Sequence, residues 1–155
     1  MENKIAEPYT ESIVYALEQT VSYFRLDGAQ FFHDNKTGVT IDQYALLDIL
    51  YNHDGISQSE LSRLALKDGA NITRILNLLE QNGFVQRSVA TNEKRLIKKV
   101  SITELGKSII EQNQDVLREN FATTFNDLTP DNLADLKKIL DILKQNLSKK
   151  VKNRA

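Results

Sequence analysis

Asn71, Thr73, Arg74, Asn77 and Gln81 sit in one short segment, interleaved with Ile72, Ile75, Leu76 and Leu79. At about 100° per residue the four apolar side chains form one helical stripe. The same geometry turns Arg74, Asn77 and Gln81 away from that stripe and leaves Asn71 and Thr73 on its shoulders. Amides, hydroxyls and a guanidinium on one face can hydrogen-bond base edges and phosphates. Three further groups fit the same chemistry. Ser57, Gln58 and Ser59 open a helix whose first N–H groups can hold a phosphate. Arg87 lies at the base of a candidate hairpin, and Lys94 and Arg95 lie at its tip, where basic side chains suit a minor groove or phosphates. Each has a plainer reading: Arg74 as a surface ion-pair partner, and Lys94 and Arg95 as an ordinary charged hairpin tip. Lys98 and Lys99 are adjacent in a strand and fall on opposite faces, so at most one of them shares the basic face.

Other chemistries find little support. The chain has no Cys, which excludes disulfides, zinc ribbons, iron–sulfur clusters and thiol sensing. Its glycines are scattered, so no loop cradles a phosphate, and no Ser lies in a G-x-S-x-G elbow. His33 and His53 are each followed by Asp, a pattern open to a metal pair or a pH switch. Two His at separate helix ends more simply interact with helix C-termini. No catalytic residue, metal or cofactor is expected.

The 155 residues suffice for one domain, or a small domain with an oligomerisation arm, and 41% apolar content can build a core. The net charge of −1 conceals a segregation. Residues 57–100 carry eight basic and four acidic groups, whereas residues 1–56 carry three basic and nine acidic. A basic middle suits a local polyanion contact. No apolar run approaches the roughly 20 residues that span a bilayer, and the polar, acidic start is unlike a signal peptide. The expectation is a cytoplasmic protein without a membrane partner.

The elements that must position these residues are legible. Tyr9, Ile13, Leu17, Val21 and Phe24 step along a helix from residue 9 to about 34. Thr40 and Gln43 form a capping box, stapled by Val39 and Tyr44, for a second helix that stops at Asp54-Gly55. Ser57 and Glu60 repeat the box for a short helix over Gln58 to Leu66. Asp68 then caps the polar-faced helix, about Ala70 to Gln81. Strands follow over 84–89 and 97–102, with Val100 and Ile102 inward, joined by a polar tip over 90–95 too long for a two-residue turn. Thr103 caps the next helix, and Thr129-Pro130 opens the last. There Leu133, Leu136, Leu140, Leu143 and Leu147 form a heptad-like seam. Left in water, this seam would be an exposed apolar stripe, and packing between two copies is the economical explanation. The fold class expected from these elements is mostly α with a small β-hairpin after a helix-turn-helix; a winged helix-turn-helix core over 40–102, with helical dimerisation regions over 1–39 and 103–155, is what resemblance to a known family adds.

Within this frame the stretch Leu46 to Gly106 resembles the core of the MarR-type (multiple antibiotic resistance regulator) transcriptional regulators. The residues that carry the resemblance are Ser57-Gln58-Ser59-Glu60-Leu61 and Ala70-Asn71-Ile72-Thr73-Arg74. Leu79-Glu80-Gln81-Asn82-Gly83-Phe84-Val85-Gln86-Arg87 and Val100-Ser101-Ile102-Thr103-Glu104-Leu105-Gly106 complete it. Thr73-Arg74 match the family's Thr-Arg pair. The wing departs from the usual Asp-x-Arg: the tip reads Asn92-Glu93-Lys94-Arg95-Leu96, and Arg95 to Thr103 is one residue longer.

The resemblance implies a homodimer on a pseudo-palindromic, double-stranded DNA operator. The polar-faced helix would enter the major groove and the wing would reach the minor groove. It also implies repression, relieved by a small aromatic or anionic effector, for which Phe24, His33 and Tyr44 are candidate contacts. Ile13 and Leu17 would join the leucine seam in the dimer interface. The alternatives are a winged-helix module that binds protein rather than DNA, and a small ligand-binding or enzymatic protein for which no residue set nominates a reaction.

Overall fold

The computed structural model describes residues 8–92 and 95–152, and for Asn92 and Arg95 the backbone alone. The chain divides into two compact units, one running to Asp115 and the other from Val116.

In the first unit a single 3-10 turn, Tyr9–Glu11, precedes α1 (Ile13–Asp34). The sequence pattern runs a helix straight through this point. Ser12 interrupts it: its Oγ accepts from Tyr15 N–H at 3.2 Å and donates to the Tyr9 carbonyl at 2.6 Å, so the helix is capped one turn later. Then come α2 (Ile41–Asn52), β1 (Ile56–Ser57), α3 (Gln58–Ala65), α4 (Gly69–Gln81), β2 (Val85–Asn92) and β3 (Arg95–Ile102), and α5 (Glu104–Thr123) begins.

The caps follow the sequence with one exception. Thr40 Oγ1 accepts from Gln43 N–H and Gln43 Oε1 accepts from Thr40 N–H, closing the box on α2. Asp68 accepts from Asn71 N–H and starts α4. At α3 only half of the expected box forms. Ser57 Oγ accepts from Glu60 N–H at 3.1 Å, but the Glu60 carboxylate turns to Arg63 on its own helix. A charged guanidinium is a stronger partner for a carboxylate than a backbone N–H.

The strands also correct the expectation. β2 and β3 pair in antiparallel register from Val85↔Ile102 out to Asn92↔Arg95, leaving only residues 93 and 94 between them. The expected long tip is instead ladder, because backbone pairing proceeds through Ala90 and Thr91 without needing apolar side chains. β1, absent from the sequence reading, adds to the other side of β3 through Ile56↔Val100 and Ser57↔Lys99, giving sheet order β1-β3-β2.

The core lies between α2, α3, α4 and the sheet. Leu46, Leu47, Leu50, Leu61, Ile72, Leu76, Leu79 and Val100 are all buried without residual exposure. Ile102 is also buried, so Val100 and Ile102 point inward as their alternation requires. Ile110 of α5 closes the wing side. α5 crosses the wing base so closely that a Cβ on Gly106 would lie 2.2 Å from the Phe84 carbonyl oxygen, so only glycine fits. Asp54 ties the end of α2 to the sheet by accepting from Ile102 N–H at 2.9 Å.

In the second unit α6 (Pro130–Lys152) is capped by Thr129, whose Oγ1 accepts from Asn132 N–H. None of its residues is buried. Leu133, Leu136, Leu140 and Leu147 are exposed and Leu143 is half-buried, and Ile139 and Ile142 widen the stripe. Far away in sequence, Ile13 on α1 is exposed too and Leu17 is half-buried. Among the described residues no helix is long and apolar enough to cross a membrane.

Candidate nucleic-acid interface

α3, the turn at Leu66–Asp68 and α4 form the helix-turn-helix. The turn is fixed by a left-handed Leu66 (φ 51°), a conformation that costs an L-residue about 1 kcal/mol. Lys67 secures it from below: only 15% exposed, its Nζ lies 2.9 Å from Asp42 Oδ1 on α2. This pair and the fully buried Leu61 hold the turn and α3 on the body of the domain.

α4 buries Ile72, Ile75, Leu76 and Leu79 and exposes Thr73, Arg74, Asn77 and Gln81, with Asn71 half-buried, as the periodicity requires. From Asn71 to Asn77 the helix rises about 9 Å, close to three base-pair steps. These side chains are held in a hydrogen-bonded row. Gln58 Nε2 donates to Thr73 Oγ1 at 2.8 Å, and that hydroxyl donates to the Gly69 carbonyl at 2.8 Å. Arg74 Nη2 donates to Asn71 Oδ1 at 3.1 Å. Among the described residues no carboxylate pairs with Arg74, as an ordinary surface ion pair would require.

Arg87 has a different setting from the one its sequence position suggests. On β2, its guanidinium forks onto the Glu80 carboxylate and donates from Nη2 to Asn77 Oδ1 at 2.9 Å, while its backbone N–H donates to Glu80 Oε1 at 3.2 Å. The Arg87 hydrogen bonds hold the Glu80 carboxyl below the usual glutamate range. The pair clips the wing base to α4, so Arg87 is engaged within the protein. Glu80 went unnoticed in the sequence. The available signal was its place three residues after Asn77, on the neighbouring helical turn, and seven before the only arginine of β2's inner half.

Ser57 serves as the α3 cap, half-buried beside Gln58, and Ser59 is exposed at the same helix start. Lys98 and Lys99 pair opposite Val89 and Ser88 and lie on opposite faces, both exposed. Lys94 lies outside the described residues, as does the Arg95 side chain; the Arg95 backbone pairs with Asn92. The three candidate effector contacts have separate settings. Tyr44 is buried with its ring 5.2 Å from Phe32, Phe24 is half-buried on α1, and His33 is 84% exposed with Nδ1 3.0 Å from Asp34 Oδ1. His53 is the C-cap of α2.

A helix-turn-helix with a polar-faced second helix and a paired β-hairpin beside it defines the winged helix-turn-helix class. Residues 39–97 match the MarR family model, and the chain belongs to the MarR family. The HTH-type transcriptional repressor IacR of Pseudomonas putida is 30% identical over 112 residues, which cover 72% of this chain and 66% of that protein. The uncharacterised HTH-type transcriptional regulator YdgJ of Bacillus subtilis (strain 168) is 37% identical over 78 residues, 50% of this chain and 47% of that one. The matched stretches thus span about two thirds of one relative and about half of the other. The fold matches the crystal structure of an S. aureus MepR–DNA complex with a TM-score of 0.75 at 20% identity, covering 91% of this chain and 99% of that one.

Proposed function

We propose that the protein is a cytoplasmic DNA-binding transcriptional regulator, a repressor that sits as a homodimer on a pseudo-palindromic operator. The observation that carries this reading is the outward row Asn71, Arg74, Asn77 on α4, with an arginine that no carboxylate among the described residues neutralises. Residues 40–102 are the DNA-binding domain, and residues 1–39 and 103–155 supply the dimer. Ser57, Gln58 and Ser59 hold a phosphate at the start of α3, and Lys94 and Arg95 carry the wing into the minor groove. Support for the dimer comes from the exposed apolar stripe on α6, and support for repression from the similarity to the repressor IacR. Release by a small aromatic or anionic effector rests on the family resemblance.

The test is a mobility shift on the DNA flanking the protein's own gene at two salt concentrations. A discrete complex that survives excess random duplex and weakens with salt is expected. Arg74→Ala should weaken it by about 1–3 kcal/mol per half-site. Unchanged affinity in that variant removes Arg74 from the interface, and no binding at low salt favours a protein-binding module.

A further inference from the structure

Resting on the DNA-binding reading above, we propose that Glu80 sets the base read by Asn77, acting through Arg87, so that each half-site carries guanine rather than adenine at that position. An arginine side chain has five donors and no acceptor. The Asn77 atom that meets Arg87 Nη2 at 2.9 Å is therefore its oxygen, while the NH2 of this exposed side chain makes no hydrogen bond among the described residues. Glu80 makes this arrangement rigid. It takes the Arg87 fork on its carboxylate and the Arg87 backbone N–H as well, so the guanidinium has one orientation to offer. The same logic recurs one turn back, where Arg74 occupies the Asn71 oxygen.

An asparagine reads adenine by using both ends of its amide, accepting from N6 and donating to N7. With one lone pair of its oxygen held by Arg87 and that end of the amide turned to β2, Asn77 leads with its two NH2 donors. Guanine presents two major-groove acceptors, N7 and O6, where adenine presents an acceptor beside an amino donor. A side chain that leads with its donors matches the first and meets the adenine amino group with N–H against N–H. Glu80 is thus a positioning residue: it lies beside the base-reading group and fixes which of its ends is shown.

The experiment is selection from a fully randomised duplex pool by the full-length wild type, Asn77→Ala, Glu80→Ala and Arg87→Lys, with each variant's fold checked by circular dichroism. Asn77→Ala marks the position by losing its preference there. The wild type is expected to favour guanine over adenine at that position by roughly 5- to 150-fold. Glu80→Ala is expected to bring that ratio close to unity while the other positions keep theirs. Arg87→Lys, which retains the charge but not the fork that spans Glu80 and Asn77, is expected to do the same. Adenine selected by the wild type, or guanine preference retained in both folded variants, overturns the proposal. If the wild type enriches no motif, the DNA-binding reading falls instead. The positioning claim is then decided on the DNA-free protein, where Glu80→Ala must shift the Asn77 side-chain amide resonances; unshifted resonances overturn it.

Discussion

The winged core and the last helix use the same residue types to opposite ends. In the core, the apolar stripe of α4 meets α2, α3 and the sheet, and Ile72, Leu76 and Leu79 have no exposure left. In α6, leucines and isoleucines repeat at similar spacing, yet no residue of the helix is buried. The core is complete as one chain. The α6 stripe is a partly covered surface, and only a part of the about 1.5–3 kcal/mol that full burial gives a leucine is realised on it. A single chain thus holds a buried core and an exposed apolar stripe, which in the proposed homodimer a second copy would cover.

That contrast can be broken at its strongest point first. Leu140→Glu places a charge in the middle of the α6 stripe, once on each copy. Association should weaken by about 3–6 kcal/mol, two leucines' worth, and sedimentation equilibrium should find a monomer whose far-ultraviolet spectrum is unchanged. A persistent dimer would show that the stripe is not the interface. Leu76→Ala acts on the other side of the comparison. It should cost about 2–5 kcal/mol of unfolding free energy, independent of protein concentration. A concentration-dependent loss in denaturant titrations would mean that the core also relies on a partner.

Two smaller effects sharpen the picture within the core. Glu80 is held below its ordinary pKa by Arg87. Its contribution to stability is therefore present above the unfolded-state pKa and lost as the pH falls through the folded-state value. As the pH falls through and below the ordinary glutamate range the wild type should lose more stability than Glu80→Gln, measured by urea melts at each pH. Equal losses would mean that the wing clip carries no linkage. Leu66→Gly tests the strained turn. Leu66 is 85% exposed and left-handed, so removing its side chain gives up little packing. Relief of the strain should stabilise the protein by about 1 kcal/mol, read as a raised thermal midpoint.

Local features were readable wherever their cause was local. The Thr40–Gln43 box, the Asp68 and Thr129 caps and the α4 stripe all depend on residues three or four apart, and all form. The errors came where a second partner competed. Glu60 turned to Arg63 instead of closing its box, and Ser12 interrupted a good apolar pattern by capping within it. In the hairpin, composition was read as a turn where backbone pairing continues to Asn92↔Arg95.

The candidate site divides along the same line. Its outward row was legible because helical geometry alone sorts Asn71, Arg74 and Asn77 from the apolar four. The state of those groups was not. Arg87 looked like a free cation until Glu80, seven residues earlier, appeared against it. Lys67 looked like turn polarity until Asp42, on another helix, accepted its ammonium at 2.9 Å.

Most helix starts, and which face of each helix is apolar, are written in the sequence, because they follow from backbone geometry and neighbours within one turn; α1, capped at Ser12, is the exception. Which cations are already paired, that Ile56–Ser57 is a strand of the sheet, and that the Asn77 oxygen accepts from Arg87 were settled by the fold alone. Such choices depend on which groups the fold brings within hydrogen-bond reach. A charge with a partner three ångströms away and one without are the same letter in the sequence.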